Sequence, residues 1–201
     1  MTIRRLILVR HGETVGESSV RYYGSTDLPL SATGYAQMRR MASELRYEPA
    51  DLILASTLCR SWKSASLLSN GGPVRLLAGL REVHFGHWEG LSKAEIQARD
   101  PVLFEDWQNA AEGFEYPSGE LRADFRARVA AAIDVAVAAP GHTAIGVLHK
   151  GVIREIIRHL SGASVGTDQP ALAGRLVLIR RADGWRLGQQ STDPADENAE
   201  A

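Results

Sequence analysis

Apolar and polar positions along this chain change period from segment to segment. Ile3–Val9, Asp51–Ala55, Pro73–Leu77 and His142–Leu148 are short, nearly continuous apolar runs, the pattern of buried strands. Between them the spacing becomes helical. Leu30, Met38, Met41 and Leu45 recur near a period of 3.6 and predict a helix from Ser31 to about Arg46, capped by the Ser31 hydroxyl with Gly34 in its first turns. Leu58–Leu68, Leu121–Ala138 and Gly151–Leu160 read as further helices, with shorter ones after Ser92 and Pro101. Arg175–Arg180 and Trp185–Gln190 flank Ala182-Asp183-Gly184 and predict a hairpin. The tail from Ser191 is polar and acidic, and is expected to be disordered. Strand–helix alternation predicts an α/β fold, a three-layer α/β/α sandwich around a mostly parallel central sheet. One domain is expected over residues 1–190, with an insertion or lid at about 90–119 and a tail at 191–201.

Composition narrows the classes. The chain has 201 residues, 44% of them hydrophobic, enough for one sizeable core. A net charge of −1 gives no overall field for nucleic acid or an anionic membrane, so any anion site must be a local cluster of cations. The single cysteine, Cys59, excludes an internal disulfide, suits a reducing compartment and reads as a buried, inert thiol. The apolar run after Arg4 and Arg5 ends at Val9, too short for a signal core, and no stretch approaches a membrane span. A cytoplasmic protein with no membrane or nucleic-acid partner is expected.

Two strands end alike. "LILVRHG" runs into Arg10, His11 and Gly12, and "AIGVLHKG" runs into His149, Lys150 and Gly151. In open α/β sheets ligands bind beyond the carboxyl ends of strands, so both histidines should reach one edge. A helix after His149 would direct backbone N–H groups there, which favours an anion, and Arg10 adds fixed charge. Arg60, early in the helix after the Asp51–Ala55 strand, could grip phosphate oxygens in a fork. Glu82, after the Pro73–Leu77 strand, could hand a proton to a departing oxygen. Phosphate is the guest these groups fit.

These residues carry a family resemblance. "RHGET" at 10–14, "DLPLSATG" at 27–34, "STLCRSWKSA" at 56–65, "LREVHFGHWEG" at 80–90, "YPSGE" at 116–120 and "LHKGVIR" at 148–154 together resemble the histidine phosphatase superfamily, the phosphoglycerate-mutase-like group. The "FGHWEG" run at 85–90 resembles its phosphatase branch in particular, which includes α-ribazole phosphatase and broad-specificity phosphatases. The resemblance implies that His11 attacks phosphorus and forms a phosphohistidine that water hydrolyses. Arg10, Arg60 and His149 would surround the phosphate, and Glu82 would act as acid and then base. No metal or other cofactor is implied. The substrate class would be a small phosphomonoester, with Tyr23, Gly24 and Lys150 as candidate contacts to its remainder. Oligomeric state is left open, a homodimer included.

Competing readings exist. Glu89 is a second candidate acid; Glu82 is preferred because the family places the acid before the Gly-x-Trp-Glu-Gly run. His84 and His87 suggest a metal pair but lack a third ligand in register, and read as rim residues of the cleft. Trp62 and Trp107 read as packing residues. Three departures from the family pattern stand out: Gly16-Glu17, where Glu17 should face away from phosphate; Lys150-Gly151 in place of two glycines; and Leu121 where serine is frequent. Phosphoglycerate mutase-type transfer, a phosphohistidine-protein phosphatase and a non-catalytic phosphate binder are the alternatives. Residues 100–120 hold Asp100, Glu105, Asp106, Glu112, Glu115 and Glu120 and no Lys or Arg; as a cleft rim they would disfavour a phosphoglycerate carboxylate and so a mutase.

Overall fold

The computed structural model describes residues 2–188. The tail from Ser191 and the end of the last expected strand lie outside the described residues. Among the described residues six strands and six α-helices run in the order β1 (Arg5–Arg10), α1 (Ala32–Glu44), β2 (Leu52–Ala55), α2 (Cys59–Leu68), β3 (Arg75–Leu76), α3 (Lys93–Arg99), α4 (Pro101–Gln108), α5 (Arg122–Val137), β4 (Thr143–Leu148), α6 (Lys150–Ser161), β5 (Arg175–Arg181) and β6 (Gly184–Leu187). The sheet order is β3-β2-β4-β1-β5-β6. The first four strands are parallel; β5 and β6 form the expected hairpin and add antiparallel at one edge. β3 shrinks to two exposed residues, Arg75 and Leu76, paired with Leu54 and Ala55 of β2.

The sheet is covered on both faces, as the apolar runs require. Leu6 and Leu8 of β1 enter one core with α5 and α6, through Val129, Ile133, Ile153 and Ile156. Ile7 and Val9 point the other way and pack with Met38, Met41 and Ala65 of α1 and α2. Period-two alternation on a strand buried on both faces gives this split. A third apolar cluster, Trp88, Ile96, Phe104 and Phe114, belongs to the excursion between β3 and α5. That segment therefore carries its own small core.

α1 starts where the sequence places it. Ser31 is its N-cap and its hydroxyl accepts from Gly34 N–H at 3.1 Å. Gly34 is glycine because a Cβ there would run into the Glu13 carbonyl oxygen. A Cβ on Gly12 would lie 2.5 Å from the Gly34 carbonyl oxygen, so the loop that carries His11 presses directly on the first turn of α1.

Candidate active site

Sheet register assembles the centre. Arg10 pairs with Leu148, and His11 N–H donates to the Leu148 carbonyl at 2.9 Å, which sets His11 beside His149. The two rings are 5.2 Å apart, edge to face. β2 lies on the other side of β4 and is followed by Ser56, whose Oγ is 2.7 Å from His149 Nε2. His11, His149, Arg60 and Glu82 are all buried.

Each ring's tautomer follows from its neighbours. His11 Nδ1 faces the Gly12 carbonyl at 2.7 Å, which only accepts, so Nδ1 carries the proton and Nε2 keeps its lone pair. Ser56 Oγ accepts from Leu58 N–H at 3.2 Å, which leaves it a proton to give to His149 Nε2. His149 Nδ1 then carries the hydrogen, and it is buried without a partner. Burial holds His11 well below the usual imidazole pKa, and Arg60 and Arg10 push it further down. His149 is held well below as well, by burial, then Arg60, His11 and Arg10. Both rings are neutral at pH 7.

The arginines differ from the simple fork. Arg60 donates through Nη1 to the Thr26 carbonyl (2.7 Å) and through Nη2 to those of Tyr23 (3.1 Å) and Gly24 (2.6 Å). Its Nε–H is buried without a partner, so it offers an anion that donor and its charge rather than two parallel prongs. Arg10 is similar: Nη1 donates to the Pro170 carbonyl at 3.2 Å and Nε is unpartnered. Three buried donors, on Arg10, Arg60 and His149, thus surround His11 with no acceptor. Native proteins rarely leave such groups unsatisfied, and one anion would satisfy all three.

Glu82 sits at the same edge. Its Oε2 accepts from Gly151 N–H at 2.9 Å and its Oε1 from Val83 N–H at 3.0 Å. One of the helix N-terminal donors expected to face the anion is therefore taken by the carboxylate. Gly151 has no side chain because a Cβ would stand 2.5 Å from Glu82 Oε1.

The competing acid does different work. Glu89 accepts from the N–H groups of Gly24 (3.1 Å), Ser25 (3.0 Å), Thr26 (3.2 Å) and Phe85 (3.0 Å) and from Thr26 Oγ1 (2.5 Å). Burial raises its pKa, but the hydrogen bonds from Thr26, Phe85 and Ser25 outweigh that and hold it below the usual carboxylate range. It ties down the loop whose carbonyls hold Arg60. Gly24, expected as a substrate contact, belongs to this scaffold and does not line the cleft, whereas Tyr23 and Lys150 do.

Sequence reasoning missed Ser56 and Arg128. Arg128 donates to the carbonyls of Gly79 (2.9 Å), Arg81 (2.6 Å) and Glu82 (3.1 Å) and pairs with Glu120, which fixes the chain that carries Glu82. Nothing in the Ala- and Arg-rich run around Arg128 marks it. Ser56 opens a quoted motif, but its link to His149 crosses 93 positions.

The secondary expectations divide. Glu17 is exposed, takes a left-handed backbone (φ 60°) and does not line the cleft. His84 and His87 do not line it either; His84 Nδ1 accepts from Gly86 N–H instead. Cys59 is half-buried rather than buried. Trp107 packs against Trp88 and Tyr22 as expected, yet also faces the cleft. The acidic rim is a correction. The excursion does border the cleft, through Trp107, Gln108, Phe114 and Tyr116, but none of its six acids does. Asp100 accepts from Trp88 Nε1, Glu115 from Arg122 N–H, and Glu120 pairs with Arg128. Their charge cannot be used against a mutase.

The sequence model of the histidine phosphatase superfamily (branch 1) matches residues 6–189. The chain belongs to that superfamily. It is 31% identical to the glucosyl-3-phosphoglycerate phosphatase of Mycolicibacterium vanbaalenii over 93% of this chain and 94% of the relative. It is 36% identical to the adenosylcobalamin/alpha-ribazole phosphatase of Salmonella typhimurium over 55% of this chain and 60% of that one. Among solved structures, a mycobacterial glucosyl-3-phosphoglycerate phosphatase in complex with VO3 superposes with a TM-score of 0.79 at 31% identity, covering 92% of this chain and 97% of that one. The fold and the phosphatase class of enzyme carry over to the chain. No helix among the described residues is long and apolar enough to cross a membrane.

Proposed function

We propose that the protein is a hydrolase of small phosphomonoesters that works through a phosphohistidine on His11 and needs no metal ion. The observation that carries this is the set of three buried, unpartnered donors around a neutral imidazole whose Nε2 lone pair is free. The phosphoryl oxygens accept from Arg10 Nε–H, Arg60 Nε–H and His149 Nδ1–H. His11 Nε2 attacks phosphorus as the bond to the ester oxygen breaks, and Glu82 in its acid form protonates that oxygen. Glu82, now a carboxylate, takes a proton from water as the water oxygen attacks phosphorus and the P–N bond returns its electrons to His11. Positioning and charge do most of the work in such transfers, and each preorganised donor contributes about 3 kcal/mol.

The test is phosphate release from a panel of phosphomonoesters with a metal chelator present, paired with trapping of labelled phosphate on the protein. Wild type is expected to turn over and to label; His11→Asn should lose at least ~10³-fold in kcat and should not label. Undiminished turnover in that variant would remove His11 from the chemistry. A second reading, phosphoryl transfer within a phosphoglycerate, stays in play because the acids of the excursion do not line the cleft. Isomerisation of 3-phosphoglycerate faster than phosphate release would select it.

A further inference from the structure

The cleft extends well past the phosphate seat, to a volume of about 640 Å³. Its wall is unbalanced in charge. Among the described residues, eight lysines and arginines line it against three carboxylates, Glu82, Glu155 and Asp168. Several of the cations are already answered. Arg21 pairs with Glu95 at 2.8 Å. Arg158 pairs with Glu155 at 2.5 Å, and Arg126 lies 3.9 Å from the same carboxylate. Arg10 belongs to the phosphate seat.

Lys93 is exposed and stands over the Phe104 ring at 5.6 Å, which leaves Lys150, Arg154 and Arg122. All three are half-buried and line the cleft, and none of their side chains makes a hydrogen bond or ion pair among the described residues. Lys150 and Arg154 stand one turn apart on α6, on the same face. Arg122 opens α5 and acts, with Arg154, on the same Tyr116 phenol, so the two helices bring these charges to one region. Burial lowers the Lys150 ammonium pKa, and Arg10 and Arg154 lower it further; exposed Asp168 and Glu82 only partly oppose them. Cations brought this close, partly out of water and without carboxylate contacts, repel one another unless an anion joins them.

We propose that Lys150, Arg154 and Arg122 form a second anion subsite, and that the substrate is a phosphomonoester whose alcohol carries a further anionic group, a carboxylate or a second phosphate, about 5 Å (one helical turn) beyond the phosphate under attack. This rests on the phosphatase reading of the His11 centre. Tyr116 and Trp107 of the excursion flank the arc and face the uncharged remainder of the molecule.

Three esters on one carbon skeleton test it: glycerol 3-phosphate, 3-phosphoglycerate and glycerol 1,3-bisphosphate, with p-nitrophenyl phosphate as a general reporter. The measured quantity is kcat/KM for each charged ester divided by that for glycerol 3-phosphate, taken within each protein so that partial loss of active enzyme cancels. In wild type at least one ratio is expected at about tenfold or more, carried by KM, and should fall towards one in Arg154→Gln and in Arg122→Gln. Which ratio is raised distinguishes a carboxylate from a phosphate. Ratios near one in wild type, with all esters cleaved, overturn the subsite and leave the phosphatase reading intact. A raised ratio that survives in both variants overturns its assignment to this arc. No cleavage of any ester, p-nitrophenyl phosphate included, fails the phosphatase reading and the subsite with it.

Discussion

At the scale of single residues, the centre depends on contacts where a missing atom matters as much as a present one. Gly151→Ala would place a methyl carbon against Glu82 Oε1 and push the carboxylate aside while the helix itself remains intact. A displacement of about 1 Å at a proton donor costs on the order of 10²-fold. The expected result is that loss in kcat with an unchanged melting temperature; near-wild-type kcat would show that the seat of Glu82 is not critical. Ser56 acts one step further back, since it sets which nitrogen of His149 bears hydrogen. Ser56→Ala frees that choice and is expected to cost about 10²-fold in kcat, with inhibition by inorganic phosphate weakened in parallel. Full activity in the variant would mean the His149 tautomer is fixed elsewhere.

At the scale of elements, the loop between β1 and α1 and the excursion before α5 hold each other. Glu89 receives the loop's N–H groups, and the loop's carbonyls receive Arg60. A carboxylate that touches no substrate therefore decides where a phosphate-facing arginine stands. Glu89→Gln keeps the shape but loses the charge and one acceptor. It is expected to lower stability by ~1–3 kcal/mol and to cut kcat/KM by at least about tenfold. Chemical denaturation and steady-state kinetics check the two parts; a stability loss with unchanged kinetics would make Glu89 purely structural. The motif around Glu89 was legible in the sequence, but its role was not. A carboxylate beside a glycine reads equally well as an acid or as an acceptor for backbone N–H groups until the partner loop is in place.

For the molecule as a whole, the buried imidazoles link folding to pH. His11 and His149 both have pKa values pushed well below the free value of about 6.5, chiefly by burial. Between the lowered folded values and about 6.5 the unfolded chain binds more protons than the folded one. Stability from these two groups is therefore complete above pH ~6.5 and falls as pH drops below it. Denaturant titrations from pH 7.5 to 5 should show this decline, with a shallower slope in His149→Asn. An equal slope would mean other groups control the acid limb. The same depression keeps His11 nucleophilic, so the acid limb of kcat/KM attributable to His11 should lie below the ordinary imidazole range.

The sequence by itself determined the α/β layering, the two strands that end in histidine, and the identity of His11, Arg10, Arg60, Glu82 and His149 as the candidate set. It could do so because strand and helix periods are local, and because the motifs keep chemistry-bearing residues within a few positions of a strand end. Tertiary structure alone decided which hydrogen bonds those residues make. Arg60 spends its outer nitrogens on a loop more than thirty positions upstream, and Ser56 reaches His149 across 93 positions. It also decided the electrostatics of the cleft. A run of acids between residues 100 and 120 turns away from it, while cations one turn apart on α6 and at the start of α5 turn in. Charge along a chain adds up without regard to direction; charge in a cleft depends on which face of each helix packs against the sheet.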